Sequence, residues 1–123
     1  MLTTTIVIVE DEEELRENLK DLLEFKGYTV IPFPTGEALL EHFDDVHADL
    51  ILLDIQLPGM DGIEVLKHVK ALRPETPVAM VSASSVRGVL THALENGAAR
   101  TILKPYDPLE MLATVEELTT VKG

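Results

Sequence analysis

The sequence predicts an α/β fold in which parallel strands alternate with helices around one sheet. Its 123 residues, 46% of them apolar, suffice for one globular core. Five short aliphatic or β-branched runs alternate with stretches of helical spacing; they are residues 6–9, 28–31, 50–53, 78–81 and 102–103. Such runs are typical of strands buried on both faces, and right-handed crossovers between parallel strands place helices on both sides. We therefore expect a single domain over residues 1–123, a three-layer sandwich of five strands and five helices.

The first two helices have recognisable boundaries. An acidic run at residues 12–14 favours the positive end of a helix dipole and marks the start of the first helix, which Gly27 ends. Thr35 has the right side chain to cap the second helix. We expect that helix to carry Leu39 and Phe43 on its apolar face.

The other three helices are delimited in the same way. The third stops before Pro74, because proline disfavours helical backbone in the residue that precedes it. The fourth covers about residues 86–95. The last begins with Asp107 as cap and Pro108 in its first turn. Residues 119–123 are expected to be a loose tail, or a linker cut before a further domain.

Charge and composition restrict the partners of the chain. Lys and Arg number 10 against 22 Asp and Glu, a net charge of -12, so we expect no direct contact with nucleic acid or with an anionic membrane. The apolar runs are too short to span a membrane, and the amino terminus lacks the pattern of a signal peptide. The chain contains no cysteine, which suits a reducing compartment, and we expect a cytoplasmic location.

Polar side chains follow four of the five predicted strands. Glu10 and Asp11 come after the first strand, Asp54 after the third, Ser82 after the fourth and Lys104 after the fifth. In open parallel sheets, ligands bind beyond the carboxyl ends of the strands. We therefore expect these side chains to converge at one edge of the sheet.

The chemistry of this set indicates a cation and a phosphoryl group. Carboxylates about 4 Å apart repel each other by a few kcal/mol unless they take up protons or a cation. An all-oxygen donor set with few protein ligands suits Mg²⁺ better than Ca²⁺. With the ion bound, a carboxylate can attack phosphorus and form an acyl phosphate. Lys104 would compensate charge on the phosphoryl oxygens, and Ser82 would donate a hydrogen bond.

The motifs around these residues resemble the receiver domain of two-component response regulators. The matching segments are Ile-Val-Glu-Asp at 8–11, Leu-Leu-Asp-Ile-Gln-Leu-Pro-Gly-Met-Asp-Gly at 52–62, Val-Ser-Ala at 81–83 and Leu-Lys-Pro-Tyr at 103–106. The resemblance covers nearly the whole chain. It implies a flavodoxin-like, doubly wound sheet with strand order 2-1-3-4-5.

The resemblance also implies a role for each acidic residue. Asp54 corresponds to the phosphoacceptor, which takes a phosphoryl group from a phosphohistidine. Asp11 would bind Mg²⁺ directly together with Asp54, Glu10 would hold a metal-bound water, and the backbone carbonyl of Gln56 would be a further ligand. The phosphohistidine would belong to a sensor histidine kinase or a histidine phosphotransfer protein.

The remaining implied roles concern switching. Ser82 corresponds to the hydroxyl that moves toward the phosphoryl group, and Lys104 to its ion-pair partner. The surface of the fourth helix, fifth strand and fifth helix would then act on an output domain or target protein. One position departs from the family, which commonly has Tyr or Phe three residues before the lysine, where this chain has Thr101. The usual inward swing of an aromatic ring cannot operate there.

One pair of residues in the first helix has two open interpretations. In the family this part of the helix meets the kinase or phosphotransfer partner. Leu15 and Asn18 would then face that partner, but Leu15 equally fits the apolar stripe that packs on the sheet.

Three other functions are compared with phosphoacceptance. A phosphatase of the haloacid dehalogenase type needs a second Asp two residues after the nucleophile, where this chain has Gln56. A flavin carrier needs a hydroxyl- or glycine-rich phosphate loop after the first strand, where this chain is acidic. A receiver-like domain that signals without phosphorylation remains an alternative because of Thr101. We expect no enzymatic action on a separate metabolite.

Overall fold

The computed structural model of the chain describes residues 3–120, which fold around one parallel sheet. The elements in chain order are β1 Thr5–Val9, α1 Glu13–Phe25, β2 Thr29–Phe33, α2 Gly36–Glu41, a 3₁₀ turn Phe43–Asp45, β3 Leu50–Asp54, α3 Gly62–Leu72, β4 Val78–Ser82, α4 Arg87–Glu95, β5 Arg100–Leu103 and α5 Pro108–Thr119. The strands pair in parallel in the order β2-β1-β3-β4-β5. The predicted fold class and strand order are confirmed.

Alternate residues of the central strands point to opposite faces of the sheet, and each face carries its own apolar core. Val7 and Ile51 belong to a cluster that includes residues of α2, α3 and α4. Ile6 and Leu50 belong to a second cluster that includes residues of α1 and α5. Because successive side chains of a strand alternate between faces, this division produces three layers, with three helices on one side and two on the other.

The predicted helix starts at Thr35 and Asp107 are confirmed by side-chain hydrogen bonds. Thr35 Oγ1 accepts from the Ala38 amide at 3.0 Å, and Asp107 Oδ1 accepts from the Leu109 amide at 2.8 Å. Gly27, just past α1, has a φ of 97°, a left-handed conformation that favours glycine. Local signals are sufficient to mark these three helix boundaries, because each depends on residues that are neighbours in sequence.

The second helix is shorter than predicted. α2 ends at Glu41, and Phe43 lies in the following 3₁₀ turn rather than on the helix. Arg73 explains the difference: its Nη2 donates to the carbonyl of Phe43 at 2.6 Å, and its guanidinium lies 4.3 Å from the ring centroid of Phe43. These contacts fix Phe43 in the core outside the helix.

The carboxyl-terminal helix extends one residue into the predicted tail. α5 continues through Thr119, whose hydroxyl donates to the carbonyl of Val115 at 2.7 Å. Thr120 caps this helix, and the last residues of the predicted tail, 121–123, lie outside the described residues. Over residues 3–120, no helix has both the length and the apolar character needed to cross a membrane.

Candidate functional site

Three carboxylates meet at the carboxyl edge of the sheet. Glu10 follows β1, Asp54 ends β3, and these strands are parallel neighbours with Val9 opposite Leu53. One carboxylate oxygen from each of Glu10, Asp11 and Asp54 lies within 4.8 Å of the others. Glu10 and Asp54 are only 7% and 4% exposed, whereas Asp11 is exposed. The predicted convergence of the acidic residues therefore occurs.

Lys104 bridges the two buried carboxylates. Its Nζ donates to Asp54 Oδ2 at 2.7 Å and to Glu10 Oε1 at 2.6 Å. Burial of the ammonium by itself would lower the pKa of Lys104, but the hydrogen bonds and negative charges of Asp54 and Glu10 outweigh it and raise that pKa. Lys104 is therefore a cation at neutral pH, held against the carboxylate predicted to react.

The loop after β3 holds the other oxygen of Asp54. Asp54 Oδ1 accepts from the backbone amide of Gln56 at 2.9 Å. The loop returns to the strand at Gly62, whose amide donates to the Ile55 carbonyl at 2.9 Å. A Cβ on Gly62 would lie 2.1 Å from the Asp54 carbonyl oxygen, so only glycine permits this close approach. The Asp54 carboxylate is thus fixed from two directions, by Lys104 and by the Gln56 backbone amide.

Two further side chains support the site, and the sequence reasoning missed both. Arg16 Nη1 donates to the carbonyl of Glu10 at 2.8 Å, which places a second cation beside the acid pair. Glu37 Oε2 accepts from the amide of Met60 at 3.0 Å and so ties the loop after Asp54 to α2. Arg16 is the first basic side chain of the chain, inside an acidic stretch, which is a weak signal. For Glu37 the sequence contains no comparable signal.

Ser82 lies at the same edge, where its hydrogen bonds go to partners other than Asp54. Its side chain is fully buried at the end of β4. Ser82 Oγ accepts from Gln56 Nε2 at 3.1 Å and from the Ser84 amide at 2.9 Å. Between residues 3 and 120, no hydrogen bond joins it to Asp54. The structure therefore brings Ser82 near the site and engages its hydroxyl elsewhere.

The donor set fits a hard divalent cation. Glu10, Asp11 and Asp54 offer only carboxylate oxygens, the ligands that Mg²⁺ prefers, and they leave room for water and a further ligand. These three negative charges exceed the single positive charge of Lys104, which bonds to Glu10 and Asp54. The excess negative charge is what a divalent ion would balance. The role of the Gln56 carbonyl as a further ligand stays a prediction.

The region that departs from the family pattern forms an open groove. Thr101 is half-buried in β5, opposite Met80 of β4. Leu90 of α4, Thr101 of β5 and Thr114 of α5 are among the residues that line a groove of about 420 Å³. Tyr106, beyond Lys104, lines the same groove, and burial of its phenol raises the pKa of Tyr106. Thr101 provides no ring that could swing inward from this groove.

A second groove lies beside Lys104. It measures about 500 Å³, and Leu15, Asn18, Ala83 and Tyr106 contribute to its lining. Leu15 is half-buried and is absent from both apolar cores, while Asn18 is exposed. Leu15 therefore lines the groove and does not belong to the apolar stripe that packs on the sheet. Its contact with a partner stays a prediction.

Sheet order and site geometry together define a doubly wound α/β domain with an acidic edge, and comparison with known families assigns the domain to one of them. The model of the response regulator receiver domain family matches residues 6–116. The chain belongs to this family: it is a receiver domain of two-component response regulators.

Individual relatives and solved structures are consistent with this assignment. The chain is 40% identical over 112 residues to the sensory transduction protein RegX3 of Mycobacterium tuberculosis, covering 91% of this chain and 49% of that protein. It is 36% identical over 113 residues to the transcriptional regulatory protein CpxR of Escherichia coli, covering 92% and 48% respectively. A CheY-like receiver domain protein from Methanospirillum hungatei superposes with a TM-score of 0.90 at 32% identity, covering 94% of this chain and 93% of that one. The chain thus spans about half the length of these curated relatives.

Proposed function

We propose that Asp54 accepts a phosphoryl group from the phosphohistidine of a sensor histidine kinase or a histidine phosphotransfer protein. The observation that carries the proposal is the environment of the Asp54 carboxylate. It is buried, held by the Gln56 amide and Lys104, and grouped with the carboxylates of Glu10 and Asp11. A carboxylate fixed in this way is oriented for attack without further side-chain ordering.

The proposed reaction forms an acyl phosphate. An oxygen of Asp54 forms a bond to phosphorus, the phosphorus–nitrogen bond of the phosphohistidine breaks, and the imidazole leaves as a neutral ring after taking up a proton. Lys104 would stay near the product and offset charge on the phosphoryl oxygens. Ser82 would supply a hydroxyl donor after leaving its present partners.

Mg²⁺ is the cofactor that this proposal assigns to the carboxylate cluster. Glu10, Asp11 and Asp54 would hold it, directly or through water, with the Gln56 carbonyl as a further ligand. When bound, the ion offsets charge repulsion between the incoming phosphoryl group and the carboxylates. All three side chains offer carboxylate oxygens, the ligands that Mg²⁺ prefers, and this supports the assignment.

The groove beside Lys104 is where we place the phosphodonor. A donor histidine must approach Asp54 closely, and this groove borders both Lys104 and Ala83, next to the site. Its lining combines the apolar side chains of Leu15 and Tyr106 with the polar Asn18, which suits the side of a partner helix. Leu15→Asp should leave labelling by a small phosphodonor unchanged, while lowering labelling by any kinase domain that labels the parent chain.

We further propose that phosphorylation changes the surface formed by α4, β5 and α5, which would act on an output domain or target protein. RegX3 and CpxR, twice the length of the match, are a sensory transduction protein and a transcriptional regulatory protein by name. In this proposal the domain assists only its own phosphorylation and dephosphorylation, in the cytoplasm, and converts no separate metabolite.

Acetyl phosphate labelling tests the acceptor. With Mg²⁺, we expect the chain to gain one phosphoryl group by intact mass, and Asp54→Asn to gain none. Asp44→Asn, an exposed aspartate in the turn after α2, is the matched control and should label normally. Labelling that persists in Asp54→Asn would move the acceptor elsewhere. Failure of the parent chain to label would favour a receiver-like domain that signals without phosphorylation.

A further inference from the structure

Gln56 connects the acceptor and the switch hydroxyl through different parts of the same residue. Its backbone amide donates to Asp54 Oδ1 at 2.9 Å. Its side-chain Nε2 donates to Ser82 Oγ at 3.1 Å, across 26 residues of sequence, and its Oε1 accepts from the Ala83 amide at 3.2 Å. The side chain of Gln56 therefore connects the loop after β3 to the end of β4.

The hydrogen-bonding capacity of the Ser82 hydroxyl is already used. A hydroxyl has one donor and two acceptor positions. Both acceptor positions are filled, by Gln56 Nε2 at 3.1 Å and by the Ser84 amide at 2.9 Å. The donor has two long options, the Ser84 carbonyl at 3.3 Å and Gln56 Oε1 at 3.4 Å. When Ser82 reorients, it therefore loses the two hydrogen bonds that its oxygen accepts. The bonds that its hydroxyl donates are long, and their loss costs little.

We propose that Gln56 is a positioning residue that latches Ser82 in its resting orientation and opposes its movement toward a phosphoryl group on Asp54. The inference rests on the proposed function of Asp54. A phosphoryl group on Asp54 would recruit two hydrogen-bond donors, the Ser82 hydroxyl and the Ala83 backbone amide. Both are now bound to the side-chain carboxamide of Gln56, which the phosphoryl group would therefore have to displace. The exposed Gln56 side chain can swing into solvent when displaced.

The size of the effect follows from the bonds that are exchanged. A single net hydrogen bond to an uncharged partner corresponds to roughly a two- to tenfold change in an equilibrium constant. Removing the Gln56 side-chain amide should raise the fraction of molecules in which Ser82 can reorient, and the increase should be roughly two- to tenfold. Apparent affinity for any ligand that needs this population should rise equally.

The test replaces the side chain and keeps the backbone amide. Gln56→Met has similar length and no hydrogen-bonding amide, and at this exposed position it should not disturb folding. The probe is beryllofluoride with Mg²⁺, a phosphoryl mimic, with its dissociation constant followed by nuclear magnetic resonance of the Ala83 and Ser84 amides. We expect Gln56→Met to bind beryllofluoride roughly two- to tenfold more tightly than the parent chain. In the parent chain, the side-chain amide signals of Gln56 should shift on binding.

The Ser82→Ala variant shows whether Gln56 acts through the Ser82 hydroxyl or changes the site in some other way. In Ser82→Ala, which lacks the latched hydroxyl, adding Gln56→Met should free only the Ala83 amide and tighten binding by a smaller factor than in the parent background. Equal tightening in both backgrounds would show that Gln56 does not act through Ser82 and would overturn the latch, as would unchanged or weaker binding by Gln56→Met alone. Absence of binding by the parent chain would overturn the proposed function and the latch together.

Discussion

The centre and the edge of the sheet are held to different degrees. β3 and β4 are buried along their whole length, whereas every residue of β5 is half-buried or exposed. The adjacent helices differ in the same way. α3 buries four residues, while of the nine described residues of α4 only Ala93 is buried. Regions with few buried apolar contacts open at lower free energy, so α4 and β5 form the more easily altered part of the molecule.

The site joins these two parts. Asp54 belongs to the firmly packed centre, and Lys104 follows the loosely packed edge strand. The salt bridge between them, at 2.7 Å, is therefore a direct link from the proposed acceptor carboxylate to the loosely packed edge. In the proposed function, a phosphoryl group on Asp54 would change the negative charge that Lys104 neutralises, and the edge would respond without disturbing the core. This division suits a switch because only the weaker region has to move.

The largest test of this comparison is a pair of leucine truncations. Leu66→Ala removes a fully buried side chain of α3 and should lower the free energy of unfolding by about 2–5 kcal/mol. Leu94→Ala, on α4 and 48% exposed, should cost less than about 1 kcal/mol. Urea unfolding followed by circular dichroism measures both. Equal losses would mean that α4 is packed as firmly as α3.

Two cations at opposite ends of β5 provide the next test. Lys104→Met leaves the buried carboxylates of Glu10 and Asp54 without their cation, and we expect a loss of about 1.5–3 kcal/mol, the range for hydrogen bonds to charged groups. Arg100→Met breaks an ion pair with Glu117 between side chains 39% and 64% exposed, and should cost less than about 1 kcal/mol. Because Mg²⁺ should replace the missing charge, it should recover part of the Lys104→Met loss and none of the Arg100→Met loss. Similar losses in both variants would show that the buried ion pairs of Lys104 stabilise the fold no more than the exposed pair of Arg100 and Glu117.

The features that the sequence reveals are those set by local patterning. Strand runs, the caps at Thr35 and Asp107, and the position of Asp54 at a strand end follow from neighbours in sequence, and the parallel topology then brings distant strand ends together. The strand order came from the family resemblance. Contacts that depend on side-chain direction across the fold were not predictable. Arg73 fixing Phe43 outside α2 and Gln56 engaging Ser82 both join residues 26 or more positions apart.

Alkaline pH should weaken the link between centre and edge. The folded-state pKa of Lys104 is raised above its ordinary 10.5 by Asp54 and Glu10. The stability from this cation is therefore complete below the unfolded-state pKa and is lost as pH rises through the higher folded-state pKa. The difference in unfolding free energy between the parent chain and Lys104→Met should shrink above about pH 10.5. The Arg100→Met difference should stay constant, because a guanidinium remains protonated there. A Lys104→Met difference that is flat with pH would contradict the raised pKa.

The smallest effect is expected for the loop after Asp54, and it tests whether this loop is as rigid as the central strands. Glu37 accepts from the Met60 amide at 3.0 Å, so Glu37→Ala should release that loop from α2 and cost about 0.5–1.5 kcal/mol. Hydrogen exchange at the Met60 amide should become faster. Glu41→Ala, an exposed glutamate at the end of the same helix, is the matched control and should leave that exchange rate unchanged. If both variants left it unchanged, the loop would be held by the Gly62 turn and the Gln56 amide alone, and the rigid region would end at the strand.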